Sequence, residues 1–224
     1  MQRILEPELM DDIEQARAYA EADFDESNTL FVDLFLQHHP DWSANGTMLD
    51  LGCGPGDIAI RLARTFPACE IHGLDGSQAM LDLAEQARRR AVDVSPRVQF
   101  VNGLIPSVQL PNTSYEAVVS NSLLHHLHDP ALMWRTVNQF AAPGAPVLIM
   151  DLVRSSSPGE AQSLVDTYAK GDPEVLRVDF YNSLCAAFEI AEVRQQLDDA
   201  GLATLSLKQV SDRHLAVWGT MPVA

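Results

Sequence analysis

The residues with the most chemical content lie in the stretch TMLDLGCGPGD, Thr47 to Asp57. Its first half is a short apolar run bounded by turn residues, which reads as a buried strand. Its second half is a glycine-rich turn opening onto a helix. Gly52, Gly54 and Gly56 can take backbone angles closed to other residues and let a ligand approach the main chain, while Pro55 stiffens the turn. Asp57 is expected to cap the following helix, whose Ile58, Leu62 and Phe66 recur at helical spacing. Roughly 20 residues further on, the apolar run Glu70 to Leu74 ends in Asp75 and Gly76, where a neighbouring strand would offer two carboxylate oxygens to a ribose diol. Polar residues at the carboxyl ends of parallel strands line the crevice of an open α/β sheet, so Asn121 and His126, after the run Ala117 to Ser120, are site candidates. His125, His126 and His128 raise the question of a metal. No acid or cysteine cluster accompanies them in the sequence and adjacent residues rarely share an ion, so none is expected. His126, Tyr181 and His214 are the candidates for a general base.

The elements that must position these groups alternate between strand and helix. After the central strand and helix come strands at Glu70 to Leu74, Val98 to Val101, Ala117 to Ser120 and Pro146 to Met150, the last ending in Asp151. Ser77 is placed to cap a helix with Met80, Ala84 and Ala87 inward. Arg88, Arg89 and Arg90 close that helix, where Glu85 can pair with Arg89 and the cations oppose the helix dipole. Another helix runs from Ala131 to Phe140. This alternation predicts a parallel sheet. Ahead of it, Leu9, Ile13, Ala16 and Ala20 mark one helix, and Asn28 is expected to start another through Leu36. Tyr19, Asp23 and Phe24 lie between them as a possible cover over the site. Two helices after Gly159, the second capped at Asp172 with Pro173 in its first turn, interrupt the alternation and carry Tyr181. Ile190, Val193 and Leu197 mark a further core helix stopped by Gly201. Closing strands Thr204 to Val210 and Leu215 to Thr220, joined through SDRH, read as a hairpin with the last strand antiparallel. The expected organisation is one domain over residues 1–224, with an N-terminal helical cap (1–46), a ligand-binding core (47–151), a helical insertion or lid (152–188) and a closing helix with its hairpin (189–224).

Composition narrows the function. With 15 basic and 31 acidic residues the formal net charge is −16, which repels polyphosphate and argues against a nucleic-acid surface or an acidic membrane. No apolar run approaches the roughly 18 residues a membrane span needs, and no leader pattern opens the chain, so a cytoplasmic location is expected. Three cysteines without paired spacing indicate neither a disulfide framework nor a structural zinc site.

LDLGCGPGD, the acid in HGLDGSQAML, the stretch LPNTSYEAVVSNSLLHHL and the terminal AGL before two strands together resemble the class I S-adenosylmethionine-dependent methyltransferases. The resemblance is close from Thr47 to Asp151 and looser at the end. It implies an α/β, Rossmann-like fold with a seven-stranded, mostly parallel sheet, an antiparallel last strand, helices on both faces, and the cofactor across the carboxyl ends of the first strands. It further implies that Asp50, Gly52 and Gly54 line the methionine part, that Asp75 holds the ribose, and that Gln78 or Met80 packs near the adenine. Asn121 would face the methyl group. The family often places an acid after the glycine of the third strand. Here Leu104 follows Gly103, so adenine recognition would fall to the backbone of that loop.

The residues agree with this cofactor independently. A carboxylate suits a helix N-terminus, a diol suits Asp75, and an acidic pocket tolerates a sulfonium. A nicotinamide dinucleotide fits less well, because Asp57 stands where close packing on a pyrophosphate wants a third glycine. The expected function is methyl transfer from S-adenosylmethionine to a small-molecule acceptor. The alternatives are a cofactor-binding regulatory protein without transfer activity and, more weakly, a dehydrogenase. Neither the acceptor nor the oligomeric state follows from the sequence.

Overall fold

The computed structural model describes residues 1–223. Chain order gives helices α1 (Ile13–Glu21) and α2 (Asp25–His38), then β1 (Gly46–Leu51), α3 (Asp57–Thr65), β2 (Cys69–Asp75), α4 (Gln78–Arg90), β3 (Val98–Asn102), β4 (Ala117–Asn121), α5 (Ala131–Phe140) and β5 (Pro146–Leu152). Helices α6 (Pro158–Tyr168), α7 (Glu174–Ala186) and α8 (Ile190–Asp199) follow, and β6 (Ser206–Gln209) with β7 (His214–Thr220) close the fold.

The strands form one seven-stranded sheet in the order β3-β2-β1-β4-β5-β7-β6. β1 to β5 pair in parallel, whereas β7 runs antiparallel to both β5 and β6. The alternation in the sequence predicts the parallel pairing, the short SDRH link predicts the antiparallel hairpin, and the resemblance implies the seven strands. All seven residues of β5 are buried, as a strand covered on both faces requires. Because side chains alternate, Leu49 and Leu51 of β1 enter one core with Trp134 and Val137 of α5 and Val193 and Leu197 of α8. Met48 enters the opposite core with Phe31 and Phe35 of α2 and Leu62 of α3. Strand order reverses between β1 and β4, so the carboxyl ends of these strands part there and leave a crevice. No helix among the described residues is long and apolar enough to cross a membrane.

Several boundaries depart from expectation for local reasons. The first helix starts at Ile13, capped by Asp12 accepting from Gln15 N, which leaves Leu9 in an extended N-terminal segment. The second starts at Asp25 rather than Asn28. Gly56, at φ 86°, caps α3, and Asp57 is the first helical residue, its carboxylate turned to Asn28 and Arg61. Pro173, not Asp172, precedes α7.

Candidate active site

The turn between β1 and α3 shapes one end of a cavity of about 1120 Å3. Gly52, Gly54 and Gly56 all have positive φ, and they are needed for two different reasons. A Cβ on Gly52 would meet Leu123 at 2.8 Å and one on Gly56 would meet Phe100 at 2.6 Å, so these two are demanded by packing. A Cβ on Gly54 would meet nothing within 4 Å, so this glycine opens the main chain to the cavity. Gly54 N donates to Asp75 Oδ2 at 2.8 Å, and Ser77 N donates to Asp75 Oδ1 at 2.8 Å. The acid at the end of β2 is thereby locked in place, with a second lone pair on each oxygen left for a ligand. Burial raises its pKa although these backbone bonds pull it down. Asp50, 1% exposed, has its Oδ2 buried without a hydrogen-bond partner, and burial and then the charge of Asp75 push it well above the usual carboxylate range.

The walls come from elements distant in the chain. Ser77, which caps α4 by accepting from Met80 N, also donates its hydroxyl to Met10 O. That bond holds the N-terminal segment over the cavity, where Leu9 and Leu104 both sit against Gly76. The rings of Tyr19 in the last turn of α1 and Phe24 just before α2 lie 4.7 Å apart, lining the cavity. Burial, with Asp75 and Asp151 adding, pushes the Tyr19 hydroxyl up to about 12, so it stays protonated and available as a donor. From Asn121 at the end of β4, a relay runs through Asn28 and Asp57 to Arg61, tying α2 to the mouth of the crevice.

The other end is a corner of titratable groups. His125, 3% exposed, donates from Nδ1 to Asp151 Oδ1 at 2.6 Å, while Asp151 also accepts from Leu124 N and Leu152 N. With three partners Asp151 cannot turn, so it fixes the imidazole and directs Nε2 away from itself. Burial alone would lower His125, but Asp151 and Glu6 hold it above the ordinary imidazole value. Asp151 is correspondingly lowered by His125 despite its own burial. Glu6 reaches this corner from the N-terminal segment, its Oε1 3.5 Å from His125 Nε2 and 3.4 Å from His126 Nδ1. Arg3 holds the segment there by donating to the carbonyls of His125, Leu127 and Ala186 and by stacking 3.8 Å over the Phe188 ring. Asp179 of α7 faces the same cavity, and burial raises its pKa.

Residues 48–144 match the methyltransferase domain family. A 27-O-demethylrifamycin SV methyltransferase of Amycolatopsis mediterranei is 27% identical over 200 residues, covering 88% of this chain and 68% of that one. A 2-phytyl-1,4-naphtoquinone methyltransferase of Nostoc punctiforme is 29% identical over 121 residues, 52% of each protein. Residues 48–144 are a methyltransferase domain, and the chain as a whole is similar to the class I S-adenosylmethionine-dependent methyltransferases. The chain spans about half the length, or less, of most curated relatives it matches. Among solved structures, a putative S-adenosyl-L-methionine-dependent methyltransferase from Methanococcus maripaludis superposes with a TM-score of 0.69 at 18% identity, covering 99% of this chain and 98% of that one, which shows the shared fold.

The cofactor of this methyltransferase family, S-adenosylmethionine, fits the residues present. Asp50 Oδ2, buried and without a partner, suits the ammonium of the methionine part, Gly54 leaves room at the main chain, and Asp75 keeps acceptor capacity for a ribose. Asp50, Gly52, Gly54, Asp75, Met80, Gly103, Leu104, Asn121, His126 and His214 all line the one cavity. Gly56, Gln78 and Tyr181 do not. Gly56 is enclosed by Phe100 and Ala84, Gln78 turns outward to Asp82 on the exposed face of α4, and Tyr181 packs with Leu152 and Ala161 behind the cavity wall. The base candidates change accordingly. Burial pushes His126 down to about 3 and His214 to about 4, the latter also bonded to Ser211 Oγ at 2.9 Å. Two residues stand out instead: His125, which sequence reasoning weighed only as a metal ligand, through its contact with Asp151, and Glu6 at the N-terminus, which it passed over. Asp151 at the end of a parallel strand was the available signal for the first. Nothing local in the sequence pointed to the second.

Proposed function

We propose that this chain transfers the methyl group of S-adenosylmethionine to a small-molecule acceptor held at the His125 corner. The observation that carries the reading is the continuity of the cavity. Gly54 and Asp75 at one end share it with His125 and Asp179 at the other, and its volume of about 1120 Å3 exceeds the span of roughly 300–1,000 Å3 common for single-ligand pockets. Two molecules therefore have room to meet inside it. When bound, the cofactor supplies an activated methyl whose bond to sulfur breaks with the electron pair left on sulfur, as the acceptor's lone pair forms the new bond. The residues need mainly to align the partners and exclude water. Asp75 and Asp50 orient, the N-terminal segment and α7 cover, and His125, held by Asp151, activates the acceptor. The relatives' named acceptors are a rifamycin precursor and a naphthoquinone, both small molecules, and the net charge of −16 disfavours nucleic acid. Three free buried cysteines fit a reducing compartment, the cytoplasm.

The test is a panel of small hydroxylated, phenolic, amine and thiol acceptors, read by formation of S-adenosylhomocysteine. Turnover with a small acceptor is expected, falling about 100-fold or more in His125→Asn while cofactor affinity holds. Product with RNA alone, or with no acceptor in the panel, would overturn the reading.

A further inference from the structure

Glu6 Oε1 is a buried carboxylate oxygen with no hydrogen-bond partner. Two imidazole nitrogens nevertheless face it, His125 Nε2 at 3.5 Å and His126 Nδ1 at 3.4 Å. Charge-assisted N–H···O bonds run about 2.7–2.9 Å, so these contacts are too wide to be that. They match a different geometry. Two donors bound at about 2.0–2.1 Å to a tetrahedral ion stand about 3.4 Å from each other, and all three atoms here lie within 4.8 Å of one another.

We propose that Glu6, His125 and His126 form a binding site for a divalent transition-metal ion in the acceptor wall of the cavity. Asp151 on the far nitrogen of His125 supplies the carboxylate–histidine arrangement that orients a metal-ligating ring. Charge favours a cation as well. Glu6, Asp151 and Asp179 bring three carboxylates together, and the guanidinium of Arg3 is the basic side chain that holds this corner. A dication meets the remaining negative charge. Two imidazoles and one carboxylate form the donor set of iron(II), cobalt(II) or zinc(II) rather than of magnesium or calcium, and the two imidazoles also line the cavity. The adjacency of His125 and His126 argues against a shared ion only when both leave a regular element in opposite directions. Here they lie in a single 3-10 turn, Leu124–His126, with ring centroids 4.2 Å apart. The role of the ion rests on the proposed methyl transfer: an acceptor hydroxyl bound at an open position would lose its proton more readily, which is how His125 would act on the acceptor.

The experiment uses the full chain without a polyhistidine tag, freed of metal by a chelator and titrated anaerobically with cobalt(II). Visible absorption and metal content per chain are read, with circular dichroism and an S-adenosylmethionine titration as checks of folding. One saturable cobalt(II) per chain is expected, displaced by zinc(II) and weakened at least tenfold in both Glu6→Gln and His126→Asn. His128→Asn, which alters the exposed neighbour of Glu8, is expected to leave it unchanged. Absence of saturable binding, binding indifferent to Glu6→Gln and His126→Asn, or loss only in His128→Asn would overturn the proposal. A chain that binds cobalt(II) but not S-adenosylmethionine would keep the metal site and overturn the methyltransferase reading, and the reverse pattern would do the opposite.

Discussion

His214 begins β7 with its ring almost fully buried against Ser211, and its position makes it a structural residue with a pH signature. Burial, then the charge of Arg213, lowers it to about 4, whereas in the unfolded chain it titrates near 6.5. Between those values the unfolded state takes up a proton that the folded state refuses, so stability is lost as pH falls from about 6.5 toward 4. The ceiling for this one group is on the order of 3 kcal/mol. Denaturant melts of His214→Gln at pH 7, 5.5 and 4.5 should show a shallower loss than the wild type. His126 acts with the same sign, so part of the slope will persist. An unchanged slope in the variant would mean that His214 contributes nothing to the acid sensitivity. Asp50 behaves oppositely, because burial raises its pKa and a proton on it is favoured by folding. A ligand cation at its unpaired oxygen would relieve that burial, which is why the same residue reads as both costly and functional.

The turn from β1 into α3 shows how one element serves packing and binding together. Gly56→Ala would force a side chain into the left-handed region, costing roughly 1–2 kcal/mol, and would press its Cβ onto Phe100 at 2.6 Å, costing roughly 1–3 kcal/mol more. A drop in melting temperature of roughly 4–20 °C is expected by calorimetry, at about 2–4 °C per kcal/mol for a chain this size. No drop would mean the helix cap relaxes freely. This turn was legible in the sequence because glycine spacing and the apolar run before it are local signals, and so were the strands whose ends carry Asp75 and Asn121. The role of Asp57 was misread. An acid after a glycine turn resembles a cap, yet Gly56 supplies the cap geometry and Asn28, from a distant helix, claims the carboxylate. Tyr181 was likewise misplaced, since polarity on α7 says which residues it carries and not which face looks inward. The Glu6–His125–Asp151 corner was least legible, because it joins the N-terminal segment to two strand ends through contacts without sequence periodicity.

Taken together, the sheet sets one crevice, and the N-terminal segment, α1, α2 and α7 cover it. The covering elements are tied down by Arg3 at one end, by Ser77 on Met10 in the middle, and by Arg61 on Asp25 and Asp57. The acidity of the whole chain extends into the cavity, where Asp50, Asp75 and Asp179 face a space that suits a cofactor with a positive sulfur. The proposed function requires that this space hold S-adenosylmethionine with Asp75 on the ribose. Isothermal titration tests it most directly, comparing the wild type with Asp75→Ala while hydrogen–deuterium exchange checks that the β1–α3 turn remains folded. One site per chain is predicted, weakened roughly 10- to 100-fold in the variant, as loss of a charged hydrogen bond of about 1.5–3 kcal/mol requires. No binding by the wild type, or equal affinity in the two proteins, would contradict it.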